Sequence, residues 1–215
     1  MIEETENHEE VNGRTKENLF RAMQLMINNL EANQIHLQKD KYFRFTQKFI
    51  ELVYDGLKHE RKFFLLASGR SAFILQAFST RLVHLGANIY MVTNLASIPA
   101  LTEKDILIIL SGSGTTSIVV SLLSNYINAV KPYGVVVITS HPSSIIGRMG
   151  DITIKLKGRT KRDRPDPQDD SAILSPEGTA FEIAAFVYLD SIIAELAIRM
   201  GKTNEDLLKK HSESI

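Results

Sequence analysis

The sequence predicts an α/β layered fold, on three observations. Five short runs, at residues 63–67, 89–92, 106–110, 135–139 and 152–156, are rich in Ile, Leu and Val and lack polar alternation. That is the signature of parallel strands covered on both faces. Helix-patterned stretches separate them at 72–85 and 117–130, with a shorter one at 143–149. Two strand-to-helix turns crowded with Ser, Gly and Thr fall at carboxyl ends of strands, where open α/β sheets bind their ligands.

The elements follow in order. Residues 1–13 have almost no apolar content, and a flexible amino terminus is expected through residue 18. This tract is acidic and polar, the opposite of an export signal. Leu19, Met23, Met26, Ile27 and Leu30 then recur at helical steps, and Phe43, Phe45, Phe49, Ile50, Val53 and Leu57 mark a second helix. Both precede the residues that carry chemistry, so they support a core or form a subunit contact. The 63–67 strand ends at Ser68-Gly69, and Gly86 closes the helix that follows. Residues 157–171 are charged and proline-bearing, hence an exposed loop. A long helix is expected over 176–200, capped by Ser175, with Pro176 at its first position and Gly201 as its stop. Thr203 and Asp206 have capping-box spacing and open a last short helix. Residues 19–215 therefore read as one domain with helical extensions at both ends.

Composition removes several function classes. With 215 residues, 44% hydrophobic and 23% charged, the chain supports one well-packed core. Twenty-five basic residues against twenty-five acidic give no net charge, so the electrostatic footprint of a nucleic-acid binder is missing. No cysteine is present, which excludes disulfides, thiolate nucleophiles and cysteine-ligated metals. Asp190, Glu195 and Arg199 interrupt the longest apolar stretch, 183–200, so no membrane span is expected and the chain reads as cytoplasmic. His36, His59 and His141 lack acidic or histidine partners at ligand spacing, and no metal site is assigned.

The two turns are residues 67–71, ASGRS, and 111–116, SGSGTT. Neither has the lysine of a GxxxxGK[ST] loop, and neither is GxGxxG with an acidic ribose partner. Glycines admit an anion close to the backbone, the helix beyond offers free amides, and hydroxyls add neutral donors. A phosphate monoester fits this better than a nucleotide. Glu182 lies in an apolar helical stretch, among Phe181, Ile183, Ala185 and Phe186, where dry surroundings would raise a carboxylate toward the pKa of a useful base. The alternative is a solvated helix-start glutamate favoured by the dipole. His84 is either a packing residue or a proton donor, and Arg70 either an anion-binding fork or a surface turn residue.

The segments ASGRSAF, RLVHLGA, ILSGSGTTSIV, GRTK, GTAFE and LDSIIAEL, in this order, resemble the sugar isomerase (SIS) family and within it the 6-phospho-3-hexuloisomerases. The resemblance implies a three-layer α/β/α sandwich around a five-stranded parallel sheet. It also implies a homotetramer or dimer of dimers, and neither metal nor organic cofactor. On this sequence the phosphate would be held by Ser71, Ser111, Ser113 and Thr116 with backbone of Gly69 and Gly112, and with Arg70 beside it. Glu182 matches the proposed base of GT-x-FE, and His84 matches the histidine of HLG, a proton donor that can serve a neighbouring subunit's site. Arg159 and Lys161 of GRTK become candidates for a cover, and His211 of KKHSE for a contribution to a neighbouring site. Two positions depart from the pattern. Thr115 stands where the family loop has glutamate. Glu177 resembles the Glu-Gly of aminosugar isomerases, and its expected role is a first-turn acid on the helix dipole.

The implied reaction interconverts D-arabino-hex-3-ulose 6-phosphate and fructose 6-phosphate through an enediol. Arabinose 5-phosphate and sedoheptulose 7-phosphate isomerases are the near alternatives. The GRS turn, usually GKS in the first, argues against one, and the lack of metal-ligand pairs against the other. A sugar-phosphate sensor without catalysis is the alternative from another class.

Overall fold

The structure is a computed structural model that describes residues 2–92, 98–164, 171–203, 205 and 206; for residues 2–12 and 171 only the backbone is described. Two helices, α1 (Ile2–Leu37) and α2 (Asp40–Lys58), lead into strand β1 (Lys62–Ala67) and helix α3 (Arg70–His84). Strands β2 (Asn88–Met91) and β3 (Ile106–Leu110) follow, then α4 (Ser117–Ala129), β4 (Gly134–Thr139), a 3-10 turn (Ile146–Met149) and β5 (Ile152–Lys155). A short α5 (Ser171–Leu174) precedes the long α6 (Thr179–Arg199).

The five strands form one parallel sheet in the order β2-β1-β3-β4-β5. Phe63, Leu65, Ile106, Ile108, Leu110, Val136 and Ile138 face a core completed by Phe49, Val53, Leu75, Leu82, Phe181 and Leu189 from α2, α3 and α6. Phe64, Leu66, Leu107, Ile109, Val135 and Val137 face the opposite core, closed by Val119 and Leu123 of α4 and by Ile146. Both faces of the central strands β1, β3 and β4 are covered, so apolar residues fill their interior positions and alternation disappears there. This is the expected three-layer α/β/α sandwich.

Strand order reverses between the neighbours β1 and β3. The chain leaves β1 into α3 on one face of the sheet and leaves β3 into α4 on the other. The turns 67–71 and 111–116 therefore flank the crevice where helices diverge, which is the ligand-binding position of doubly wound sheets.

Three elements differ from expectation. Helix α1 begins at Ile2, within the tract expected to be flexible. Glu, Lys, Arg and Asn fill that tract without a proline, so a lack of apolar residues does not break a helix there. Leu19, Phe20, Met23 and Ile27 are exposed, so this part of α1 adds nothing to the chain's own core and the subunit-contact reading remains. Residues 143–149 supply only the 3-10 turn. Helix α6 begins at Thr179, three residues beyond Pro176: the Thr179 amide donates to the Pro176 carbonyl, and Ser175 gives its carbonyl to Arg159 instead of capping. The Thr203 capping box forms, with the Asp206 carboxylate accepting from the Thr203 amide at 2.8 Å.

Candidate active site

The 111–116 turn is bolted to its surroundings by its backbone. The Gly114 amide donates to the Ser111 carbonyl and the Gly114 carbonyl accepts from Ile146, both at 3.1 Å. The Gly112 carbonyl accepts from the Ser140 amide and the Thr139 hydroxyl, each at 3.1 Å. Ser71, Ser111 and Ser113 are buried and Thr116 half-buried. Thr115 donates from its amide and its hydroxyl to Ser113 Oγ, at 3.4 and 3.3 Å. That orients the Ser113 hydroxyl with its own proton free for another acceptor. Thr116 precedes α4 without a side-chain capping bond.

Ser111 Oγ is wholly buried and meets no hydrogen-bond partner. A hydroxyl left so costs about 1–3 kcal/mol. Replacing Ser111 with Ala is therefore expected to raise the melting temperature by a few degrees while weakening the binding of inorganic phosphate about tenfold or more. Calorimetry with and without phosphate checks both. A variant that binds as tightly as the parent would remove Ser111 from the site.

Glu182 stands in the first turn of α6, with its side chain only 12% exposed. Phe181 beside it packs its ring onto Gly112, where a Cβ would come within 2.9 Å of Phe181 Cδ1, and so sets the start of α6 against the 111–116 turn. Arg70 Nη2 lies 2.6 Å from Glu182 Oε2 and 3.4 Å from Thr179 Oγ1. Arg70, expected beside the phosphate, is thus engaged by the carboxylate, because its turn opens toward α6. Burial pushes the Glu182 carboxyl up from its ordinary value, and the Arg70 charge pulls it back by less. The carboxylate is desolvated and oriented, as a base requires.

The other expected residues are dispersed. His84 is buried in the last turn of α3. At about 1.5 Å rise per residue it lies about 20 Å along the helix from Arg70, so one chain does not bring it to Glu182. Arg159 is withdrawn from any cover by its bonds to the carbonyls of Ala172 (3.1 Å) and Ser175 (2.7 Å), which hold the approach to α6. Lys161 is exposed on the loop. Glu177 is exposed and lies ahead of α6, not in its first turn, since that helix starts later than expected. His211 lies outside the described residues. No cluster of three metal-ligating side chains exists among the described residues, and none of their helices is long and apolar enough to cross a membrane.

Sequence reasoning missed a second layer. His141 Nε2 lies 2.9 Å from Thr160 Oγ1 and 3.3 Å from an Asp163 carboxylate oxygen. Asp163 also accepts from the Thr160 amide and hydroxyl, at 2.7 and 2.9 Å. Burial alone would raise Asp163, but the bonds from Thr160 and the nearby His141 outweigh it and hold the carboxyl below its usual range. These partners lie about twenty residues from His141, beyond the reach of any local spacing rule.

A parallel sheet with helices diverging over a hydroxyl-lined turn, beside a largely buried carboxylate, is an α/β arrangement that can receive an anion next to a proton-accepting group. The SIS domain family model matches residues 56–162. The chain is 34% identical over 154 residues to an uncharacterized protein of Archaeoglobus fulgidus, covering 71% of this chain and 80% of that one. It is 31% identical over 160 residues to the 3-hexulose-6-phosphate isomerase of Bacillus subtilis, covering 74% and 82%. A crystal structure from Methanococcus jannaschii, for which a 3-hexulose-6-phosphate isomerase function was inferred, superposes with a TM-score of 0.70 at 26% identity, covering 88% of this chain and 96% of that one. The chain belongs to the SIS domain family.

Proposed function

We propose that the protein is a 6-phospho-3-hexuloisomerase, interconverting D-arabino-hex-3-ulose 6-phosphate and fructose 6-phosphate. The observation that carries this reading is Glu182: a desolvated carboxylate held by Arg70 beside the SGSGTT turn. The similarity to the Bacillus subtilis isomerase supports the choice of substrate.

In this reading the ester sits on Ser71, Ser111, Ser113 and Thr116 with the amides of both turns, which fixes the carbon chain relative to α6. Glu182 takes the proton from C2 of the 3-ulose. The C–H pair becomes the C2–C3 double bond and the C3 oxygen accepts a proton, giving the enediol. Loss of the proton on the C2 oxygen then forms the new carbonyl, and Glu182 returns its proton to C3. The proton that the C3 oxygen gains and the one that the C2 oxygen loses are carried between them by water, so the carboxylate handles only the carbon-bound proton and no external redox partner is needed.

A homotetramer accords with the same reading. The apolar stripe Leu19, Phe20, Met23 and Ile27 lies uncovered on α1. Ile27 also borders a groove of about 730 Å³ between α1, α2 and α6. In an assembly His84 can approach a neighbouring chain's Glu182 and donate to a sugar oxygen.

The test is direct. Purified protein is expected to equilibrate fructose 6-phosphate with the 3-ulose, followed by carbon-13 NMR against a panel of ketose and aldose phosphates. Conversion of a different member would reassign the substrate. If none is converted and several raise the melting temperature, the protein is a sensor.

A further inference from the structure

A phosphate ester is dianionic near neutral pH, yet the turn that would hold it offers hydroxyls and amides alone. Arg70, foreseen beside the phosphate, is engaged by Glu182; of the two residues foreseen as a cover, Arg159 is bound to two carbonyls and Lys161 lies out on the loop surface. The residue after Lys161 behaves differently. Arg162 reaches back to the phosphate turn, where its Nη1 donates to the Ser113 carbonyl at 3.4 Å. That bond is long, and a guanidinium gains far more from a phosphate than from a neutral carbonyl.

The loop carrying Arg162 is fixed at successive points. The Gly158 carbonyl accepts from Ser140 Oγ at 3.0 Å, and the Arg159 carbonyl accepts from the Gly178 amide at 3.2 Å. Thr160 is 3% exposed and bound to both His141 and Asp163, while its hydroxyl accepts from the Arg162 amide at 3.3 Å. His141 in turn donates its amide to Thr139 Oγ1, the same hydroxyl that donates to Gly112 of the phosphate turn. Residues 139–141 thus anchor the anion turn and the arginine loop together, so the backbone that carries Arg162 keeps a constant place relative to the cradle, within reach of which the exposed guanidinium extends.

We propose that Arg162 is the charged ligand of the substrate's phosphate, carried over the 111–116 turn by a loop that His141, Thr160 and Asp163 lock in place. The inference rests on the proposed function only in that the site takes a phosphorylated sugar. Arg162 is a specificity residue that separates the ester from the free sugar, and Asp163 and His141 are positioning residues that act through it.

Calorimetric titration of the full chain with fructose 6-phosphate and with inorganic phosphate reads this without any turnover. Arg162→Gln is expected to weaken both ligands ten- to a hundredfold and to flatten the salt dependence of binding, with the melting temperature unchanged. In the isomerisation assay KM rises by a similar factor and kcat moves little. Arg162→Lys restores part of the affinity, since it keeps the charge and loses the fork. Asp163→Asn lowers affinity less than Arg162→Gln does, and has no further effect once Arg162 is Gln. Affinities of Arg162→Gln within twofold of the parent overturn the proposal and leave the isomerase reading standing. Normal phosphate binding with no conversion of any sugar sinks the isomerase reading and leaves Arg162 in place. A parent protein that binds neither ligand removes both.

Discussion

Glu182→Gln will lower kcat for the isomerisation by a factor of about 10³, the span ordinarily supplied by a positioned general base, while the affinity for fructose 6-phosphate stays within a few fold. The amide keeps the shape of the side chain and a hydrogen bond for Arg70, but it cannot take a proton from carbon. A second consequence separates a catalytic carboxylate from a merely structural one. Burial raises the Glu182 pKa in the folded chain despite Arg70, so the folded state binds the proton more tightly than the unfolded state. Its stabilising effect is full below the ordinary glutamate range and is lost as pH rises through the raised value. At neutral pH the ionised carboxylate therefore costs stability, and the Gln variant should melt higher than the parent, the gap closing as the pH is lowered. Activity runs the other way, because only the ionised form is a base. The acid limb of the kcat profile should lie above the ordinary carboxylate range, and Arg70→Gln should move it higher still by removing the one charge that pulls it down. A Gln variant with parental kcat, or an acid limb that Arg70→Gln leaves in place, would refute the role given to Glu182.

Much of this arrangement is legible in the sequence, and the boundary of legibility is physical. The central strands β1, β3 and β4 could be read because double burial imposes uniform apolar runs, the edge strands β2 and β5 from shorter apolar runs that are only partly buried, and the site turns because Gly, Ser and Thr are concentrated where two of the central runs end. Glu182 could be singled out because its helical neighbours are apolar, which is the same fact that desolvates it. What escaped depends on contacts between distant segments. The start of α6 is set by the Arg159 side chain and by the Gly178 amide meeting the Arg159 carbonyl, and neither leaves a mark near Pro176. Arg162 and its His141–Thr160–Asp163 support are likewise invisible until β4 and β5 lie side by side. His84 shows the converse: its motif identifies it, but the length of α3 keeps it from the site of its own chain.

Gly114→Ala should be the most damaging small substitution in the phosphate turn, and the reason can be separated into two parts. Gly114 has φ 63°, in the left-handed region that costs an L side chain about 1–2 kcal/mol. Its missing Cβ would also run into Ser144 Oγ, and Ser144 cannot retreat: it is 3% exposed, and its hydroxyl accepts from the Gly147 amide at 3.1 Å. The Gly114 peptide cannot swing away either, since its amide and carbonyl are both bonded, to Ser111 and Ile146. Strain and overpacking together should cost about 2–5 kcal/mol, a fall of roughly 5–15 °C in melting temperature for a chain of this size. Whatever shift relieves the clash displaces Ser113 and the turn's amides, so fructose 6-phosphate affinity should drop by more than a hundredfold. Gly86→Ala is the control. Gly86 also has positive φ, 96°, but lies exposed at the end of α3 with nothing within 4 Å of its Cβ direction, so it should show the strain alone, about 1 kcal/mol, and normal binding. If the two alanine variants melt together and bind the sugar phosphate equally well, the turn is not the rigid anion cradle on which the assignment of this site depends.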